Sequence, residues 1–248
     1  MEVLIGCCGF PTSKERYFKT FKLVEVQQTF YKLLDVSLLE KWRREAPEDF
    51  EFTVKAFQGI THPLSSPTWK RSGIKDLEKL QGKVGFMNPT KEVFSFWVHV
   101  LEECKALISN LILIQLPASF EEKEENLSNI DSFFSCIDRK NLNIAIEFRG
   151  WSEEKIKTVC EKHDLISCVD PFRNKPVHFS SKKILYFRLH GLGKKSMYNY
   201  SFSDNELLWL KEKLLEYQDK ANKAYVLFNN KAMFENAKRF SEILKSNI

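Results

Sequence analysis

Eight short runs of β-branched or aliphatic residues, most of them followed by a charged segment with helical spacing, restrict the fold of this chain more than any other feature. The runs fall at residues 3–6, 23–27, 51–56, 111–116, 143–148, 165–170, 184–190 and 224–229, and helix-like stretches at 37–45, 91–107, 121–138, 153–163, 204–220 and 232–244. Parallel neighbours need a crossover between them, so this alternation predicts a parallel sheet. Eight such units in 248 residues predict closure into one (β/α)8 barrel of the TIM type spanning residues 1–248. Two connections are irregular: a long insertion at 57–89, carrying Pro63, Pro67 and Trp69, and a Pro- and Lys-rich stretch at 171–183. An open doubly wound sheet is the alternative. It would usually show a glycine-rich first turn, and Gly6-Cys-Cys-Gly9 does not supply G-x-G-x-x-G.

Composition narrows the class of protein. Hydrophobic residues make up 43% and charged residues 29%, which suits a chain with a sizeable core. Nine Gly and eight Pro are too few for a collagen-like or linker-rich chain. No run approaches the roughly 18 consecutive apolar residues of a membrane span. The opening MEVLIGCCGF lacks the basic and apolar regions of a signal peptide. The six cysteines include no C-x-x-C pair, which argues against a zinc knuckle or a disulfide framework and for free thiols in a cytoplasmic protein. A net charge of +5 leans toward anionic partners without being a nucleic-acid signature.

Alternation within the strands carries the functional information, because successive side chains point to opposite faces. In the fifth run Ile144, Ile146 and Phe148 form the face that meets helices, while Asn143, Ala145, Glu147 and Arg149 face the barrel axis. The seventh repeats this, with Leu185, Phe187 and Leu189 outward and Tyr186, Arg188 and His190 inward. Glu25 and Gln27 close the second run, Lys55 the third, Gln115 the fourth, Asp170 the sixth, and Asn229 with Asn230 the eighth. All lie near C-terminal strand ends, where barrel active sites are built. A buried charge costs several kcal/mol unless paired, so a fold does not gather so many at one mouth without a use for them.

The charge types limit the chemistry. Glu25, Glu147 and Asp170 oppose Lys55, Arg149 and Arg188, and His190 can titrate. This self-neutralising set differs from dedicated metal barrels, where carboxylates and His dominate, so no metal or other cofactor is expected; a metal would have to use Glu25, Glu147, Asp170 and His190. The arginines and Lys55 suit an anionic or polyhydroxylated ligand, with a carboxylate moving a proton. Each residue also has a plainer reading. Glu147 and Arg149 can pair as strand neighbours, His190 can be a hydrogen-bonded core histidine, and an adjacent carboxylate would keep Lys55 charged and ion-paired. Cys7 and Cys8 read as small buried residues. Gly191-Leu-Gly-Lys-Lys-Ser196 fails the Walker spacing, yet loops after strands seven and eight often hold phosphate; Lys194 and Lys195 either serve there or are solvated.

These strand-end motifs carry a family resemblance. Val24-Glu-Val-Gln-Gln-Thr-Phe-Tyr31, Phe52-Thr-Val-Lys-Ala56 with Ile60-Thr-His62, Gln115-Leu-Pro117, Ala145-Ile-Glu-Phe-Arg149, Val169-Asp-Pro171, Tyr186-Phe-Arg-Leu-His-Gly191 and Phe228-Asn-Asn230 with Asn236-Ala237 occur in order. Together, from about Ile5 to Phe240, they resemble the YecE-like family, the domain of unknown function number seventy-two. The resemblance implies a TIM-type barrel and adds Tyr31 and His62 to the ligand-binding candidates, but it brings no reaction. The chain departs from the family at Cys7-Cys-Gly-Phe10, where Thr-Ser-Gly-Trp is common, at Gln27-Gln28, where Asn-Ser is usual, and at Gly150-Trp151, which directly follows Arg149 where the family often has His-x-Ser-Trp.

Two functions fit. One is an enzyme, a hydrolase, lyase or isomerase, acting on a small anionic or sugar-like substrate. Glu147, Asp170, Glu25 and His190 form its catalytic group, and Lys55, Arg149, Arg188, Gln115, Asn229, Asn230, Tyr31 and His62 bind the ligand. It predicts a deep mouth covered by 57–89 and 191–200. The other is a nucleic-acid-binding or processing protein with Trp69, Tyr198 and Tyr200 as exposed stacking platforms and a continuous basic groove. The lysines are scattered among acids rather than clustered, which favours the enzyme.

Overall fold

In the computed structural model, which describes residues 1–246, the strands β1 (Glu2–Cys8), β2 (Leu23–Val26), β3 (Glu51–Lys55), β4 (Leu111–Gln115), β5 (Asn143–Glu147), β6 (Ile166–Val169), β7 (Ile184–Leu189) and β8 (Lys223–Phe228) are all parallel. They pair in chain order, and β1 closes the barrel against β8. The closed barrel replaces the open-sheet alternative.

Helices α1 (Lys14–Thr20), α2 (Gln28–Tyr31), α3 (Val36–Glu45), α4 (Gln58–Thr61), α5 (Lys91–Leu107), α6 (Glu124–Cys136), α7 (Glu153–His163), α8 (Asp204–Leu215) and α9 (Met233–Lys245) fill the connections. Polar caps start several of them: Ser13, Asp35, Thr90, Ser152 and Ser203 each accept from a backbone N–H of the first turn. At α8, Ser203 and Glu206 cap each other's backbone reciprocally. Ser203→Ala removes one side of that box and is expected to cost about 1 kcal/mol, a fall of roughly 2–4 °C in the calorimetric Tm. A Tm unchanged within error would show that the box contributes nothing.

The sequence pattern misses α1 because it is only seven residues long and follows Gly9-Phe10-Pro11. It also overruns α8, where Lys220 and Ala221 donate to the Tyr217 carbonyl and turn the chain. Residues 171–183 form no helix, in keeping with their composition, and Phe179 pairs with Ile166 in an isolated bridge. The insertion after β3 holds α4 and two short 3-10 turns, Pro67–Arg71 and Leu77–Leu80. Among the described residues no helix is long and apolar enough to cross a membrane.

Side-chain parity divides the core. The outward set, including Val24, Val54, Ile114, Ile146 and Phe187, packs with the helices in one large cluster. A second cluster inside the barrel contains Leu23, Leu111, Leu113, Ala145, Ile166, Cys168, Tyr186, Tyr225 and Leu227. This apolar plug fills the barrel below its C-terminal mouth and supports the polar strand ends above it.

Candidate active site at the barrel mouth

Strand register brings the polar ends together. Gln115 lies directly beside Glu147, and Glu25 beside Thr53 and Cys8. Across the barrel, Arg188 reaches both glutamates: Nη2 donates to Glu25 Oε1 at 2.9 Å, and Nη1 donates to Glu147 Oε2. Its side chain is 1% exposed. Glu25 is fully satisfied, accepting from the Tyr186 hydroxyl at 2.8 Å and from the Gln27 amide as well. Thr53 Oγ1 lies 2.9 Å from that same hydroxyl.

This arrangement fixes protonation. Burial pushes the Glu147 carboxyl up, but Arg188, then His190 in its protonated form, and Arg149 hold it well below the usual carboxylate range. Burial also opposes the charge on Arg188, and the two glutamates reverse the effect and raise its pKa well above the ordinary value. Arg149, at the rim, approaches Glu147 Oε1 at 3.4 Å.

A second group lies beside the first. The Asp170 carboxylate accepts from the Phe172 N–H at 3.1 Å and the His190 N–H at 3.0 Å, and its Oδ2 is 3.4 Å from His190 Nδ1. With Nδ1–H donating to Asp170, Nε2 carries the lone pair. That buried nitrogen has no hydrogen-bond partner among the described residues and lies 3.9 Å from Glu147 Oε1. The His190 side chain lines a cavity of about 260 Å³ together with Glu147, Arg149, Asp170, Arg173 and Lys175. Arg173, whose Nε is 3.8 Å from Asp170 and whose Nη2 donates to the Gly191 carbonyl, and Lys175 are functional candidates that sequence reasoning missed. Their only signal was the basic character of the irregular 171–183 stretch. Of the two segments expected to cover the mouth, 191–200 supplies Met197 to this cavity and 57–89 supplies nothing.

Lys55 departs from expectation. Its Nζ makes no ion pair with a carboxylate among the described residues; it donates to Gln115 Oε1 at 2.9 Å and lies 4.0 Å from the centre of the Phe30 ring. Arg188 engages Glu25 and Glu147, which leaves no carboxylate turned toward the amine. Burial first, then Arg188, pulls the Lys55 pKa down to about 7 against the opposing pull of Glu25 and Glu147. His62 sits edge-on to Phe30, with Nδ1 2.7 Å from Thr61 Oγ1; burial, Lys55 and Arg149 lower its pKa to about 3.

The other candidates fall further out. The Tyr31 ring stacks under the Arg71 guanidinium at 3.5 Å. Asn229 donates its backbone N–H to Leu189, and the Asn230 amide donates to the Tyr200 carbonyl and Asn236 Oδ1, joining the β7–α8 connection to α9. Lys194 and Lys195 are exposed. Trp69, expected as an exposed platform, is only 2% exposed, because its indole N–H donates to the His62 carbonyl and its ring packs on Phe57. Cys7 and Cys8 are buried, and burial pushes the Cys7 thiol up to about 12 and that of Cys8 well above its ordinary value.

The donors a metal would need do not converge. Arg188 occupies the space between Glu25 and Glu147, and among the described residues no three His, Cys, Asp or Glu side chains gather as a metal site. A guanidinium stands where a cation would sit, so these residues do not fit one.

The molecule is thus a closed eight-stranded parallel barrel with an ion-paired mouth at its C-terminal end. The chain belongs to the family described as Protein of unknown function DUF72, whose model matches residues 12–248. It is 24% identical over 262 residues to the UPF0759 protein YunF of Bacillus subtilis (strain 168), covering 93% of this chain and 86% of that one. Solved DUF72 family proteins share the fold. That of Enterococcus faecalis V583 is 19% identical, covers 99% of this chain and 98% of its own, and has a TM-score of 0.75. That of Thermotoga maritima MSB8 is 23% identical, with coverage of 99% and 100% and a TM-score of 0.72. More distantly, at 10% identity, the barrel matches a xylose isomerase domain protein from Planctomyces limnophilus at 0.59 and endonuclease IV from Thermus thermophilus at 0.51.

Proposed function

We propose that the chain is an enzyme that moves a proton on a small anionic or sugar-like substrate held at the barrel mouth. The observation that carries this reading is His190, oriented through Nδ1 by Asp170, its Nε2 unpartnered among the described residues, on the wall of a cavity that Arg149, Arg173 and Lys175 also line. An imidazole held by a carboxylate, with its other nitrogen free, is a general acid–base group. Glu147, kept ionised by Arg188, is suited to stabilising a charged His190 rather than to donating a proton itself. The rim cations supply the bidentate and point-charge contacts that an anion requires. Sugar isomerase-like and endonuclease activities among the distant neighbours belong to those proteins; the small volume of the cavity and the buried Trp69 favour a small molecule over a nucleic-acid strand.

A thermal-shift comparison of matched pairs tests the reading: dihydroxyacetone phosphate against dihydroxyacetone, glucose 6-phosphate against glucose, and short oligonucleotides alongside. The expected result is that at least one small anion at millimolar concentration raises Tm by about 2 °C or more, on the order of RT ln(1 + [L]/Kd). Its uncharged parent is expected to have no effect, and an Arg149→Ala/Arg173→Ala variant to lose the response. Equal shifts from charged and uncharged members, or a response only to oligonucleotides, would overturn the proposal.

A further inference from the structure

The cations of the mouth are not equivalent. Arg188 is paired with Glu25 and Glu147, Arg149 with Glu147, and Arg173 lies beside Asp170. Lys55, 5% exposed, has among the described residues only the neutral Gln115 oxygen and the Phe30 ring. A structural lysine in a barrel interior would be expected to take a carboxylate, since an unpaired buried charge is strongly unfavourable. This one sits at a C-terminal strand end, its amine tethered through one neutral acceptor, Gln115, whose register neighbour Glu147 lines the cavity.

We propose that the Lys55 amine is a nucleophile that forms an imine with a small anionic carbonyl compound bound at the mouth. The inference rests on the anionic-substrate reading above and narrows its substrate class to aldehydes or ketones. The Nζ lone pair attacks the carbonyl carbon, and the carbonyl oxygen takes a proton to give a carbinolamine. The proton that the oxygen takes is the one the attacking amine loses, and the hydroxyl then leaves as water with a second proton from solvent as the protonated C=N bond forms, so no oxidant or reductant enters the step. The Phe30 face, 4.0 Å from Nζ, is placed to stabilise the resulting cationic iminium. Arg188, Glu25, Glu147 and Cys8 are the charged and titratable groups acting on the amine, and their balance together with burial puts its pKa at about 7. At pH 7 about half of the amine is then neutral, on the order of a thousand times the neutral fraction of an exposed lysine.

Reductive trapping tests the proposal. The full-length protein is incubated at pH 7 with dihydroxyacetone phosphate and sodium cyanoborohydride, and the modified lysines are mapped by peptide mass spectrometry. The expected result is that Lys55 labels at least about tenfold faster than any exposed lysine. From pH 6 to pH 8 the Lys55 rate should rise about tenfold, against about a hundredfold for exposed lysines, whose amines remain almost wholly protonated. A Lys55→Met variant should lose the dominant adduct while labelling of surface lysines continues. Indiscriminate labelling, or labelling of exposed lysines alone, would overturn the nucleophile. Labelling of Lys55 as readily by dihydroxyacetone would keep the nucleophile and remove the anion reading. A thermal shift with dihydroxyacetone phosphate but no Lys55 adduct would do the reverse.

Discussion

Replacing Arg188 with Met is expected to destabilise the protein by about 3–5 kcal/mol, because it leaves Glu25 and Glu147 buried and without their shared cation. For a chain of this size that is a fall in Tm on the order of 10 °C. The loss comes from stranded charge rather than from lost packing, so Arg188→Met combined with Glu25→Gln and Glu147→Gln should recover most of it. The pH dependence follows the same logic. The Glu147 pKa is lowered in the folded protein, so its contribution is present above the ordinary carboxylate value and is lost as pH falls through the folded value. In the single variant the largest of the groups that oppose burial is gone and only His190 and Arg149 remain, so that pKa rises, and the deficit should be large at pH 7 and shrink as Glu147 protonates. Urea unfolding at pH 7 and pH 4 measures both effects. A loss below about 1 kcal/mol at pH 7, or a triple variant no better than the single one, would mean that the network is solvated and not a buried ion triad.

Much of this network was legible in the sequence, because strand periodicity is exact. Once Ile144, Ile146 and Phe148 are assigned to the helices, Glu147 must face the axis, and the same parity places Arg188, Glu25 and Lys55 there. Parity does not say who pairs with whom. Counting carboxylates predicts that Lys55 meets one, yet Arg188 reaches across the barrel and engages two of them. Loops have no period to read. Arg173 and Lys175 reach the cavity from a stretch with neither strand nor helical spacing, and they escape for that reason. Trp69 fails in the opposite sense: its proline- and serine-rich surroundings suggest an exposed loop, but the insertion folds back and buries it against Phe57 and the His62 carbonyl. Short helices such as α1 lie below the length at which apolar spacing can be distinguished from chance.

Lys55→Met is expected to stabilise the protein, by about 2 kcal/mol at pH 6. Lowering a lysine from its ordinary value of 10.5 to about 7 corresponds to a burden on the order of 5 kcal/mol on the charged form. Methionine removes that burden at similar length. It also strands Gln115 Oε1, the acceptor of the amine, which returns roughly 1–3 kcal/mol. The sign of the pH dependence separates this explanation from simple repacking. Between pH 7 and 10.5 the unfolded chain holds a proton on Lys55 that the folded protein does not, so the native protein gains stability as pH rises through that window. The methionine variant has no such gain. Its advantage should therefore be full below pH 7, narrow steadily above it, and turn into a deficit near pH 10, where only the lost Gln115 hydrogen bond remains. Urea unfolding of both proteins at pH 6, 8 and 10 measures the difference, and an advantage that is independent of pH, or absent at pH 6, would show that the amine is not held against its charge. A barrel that needed position 55 only for packing would be more stable with an apolar side chain there.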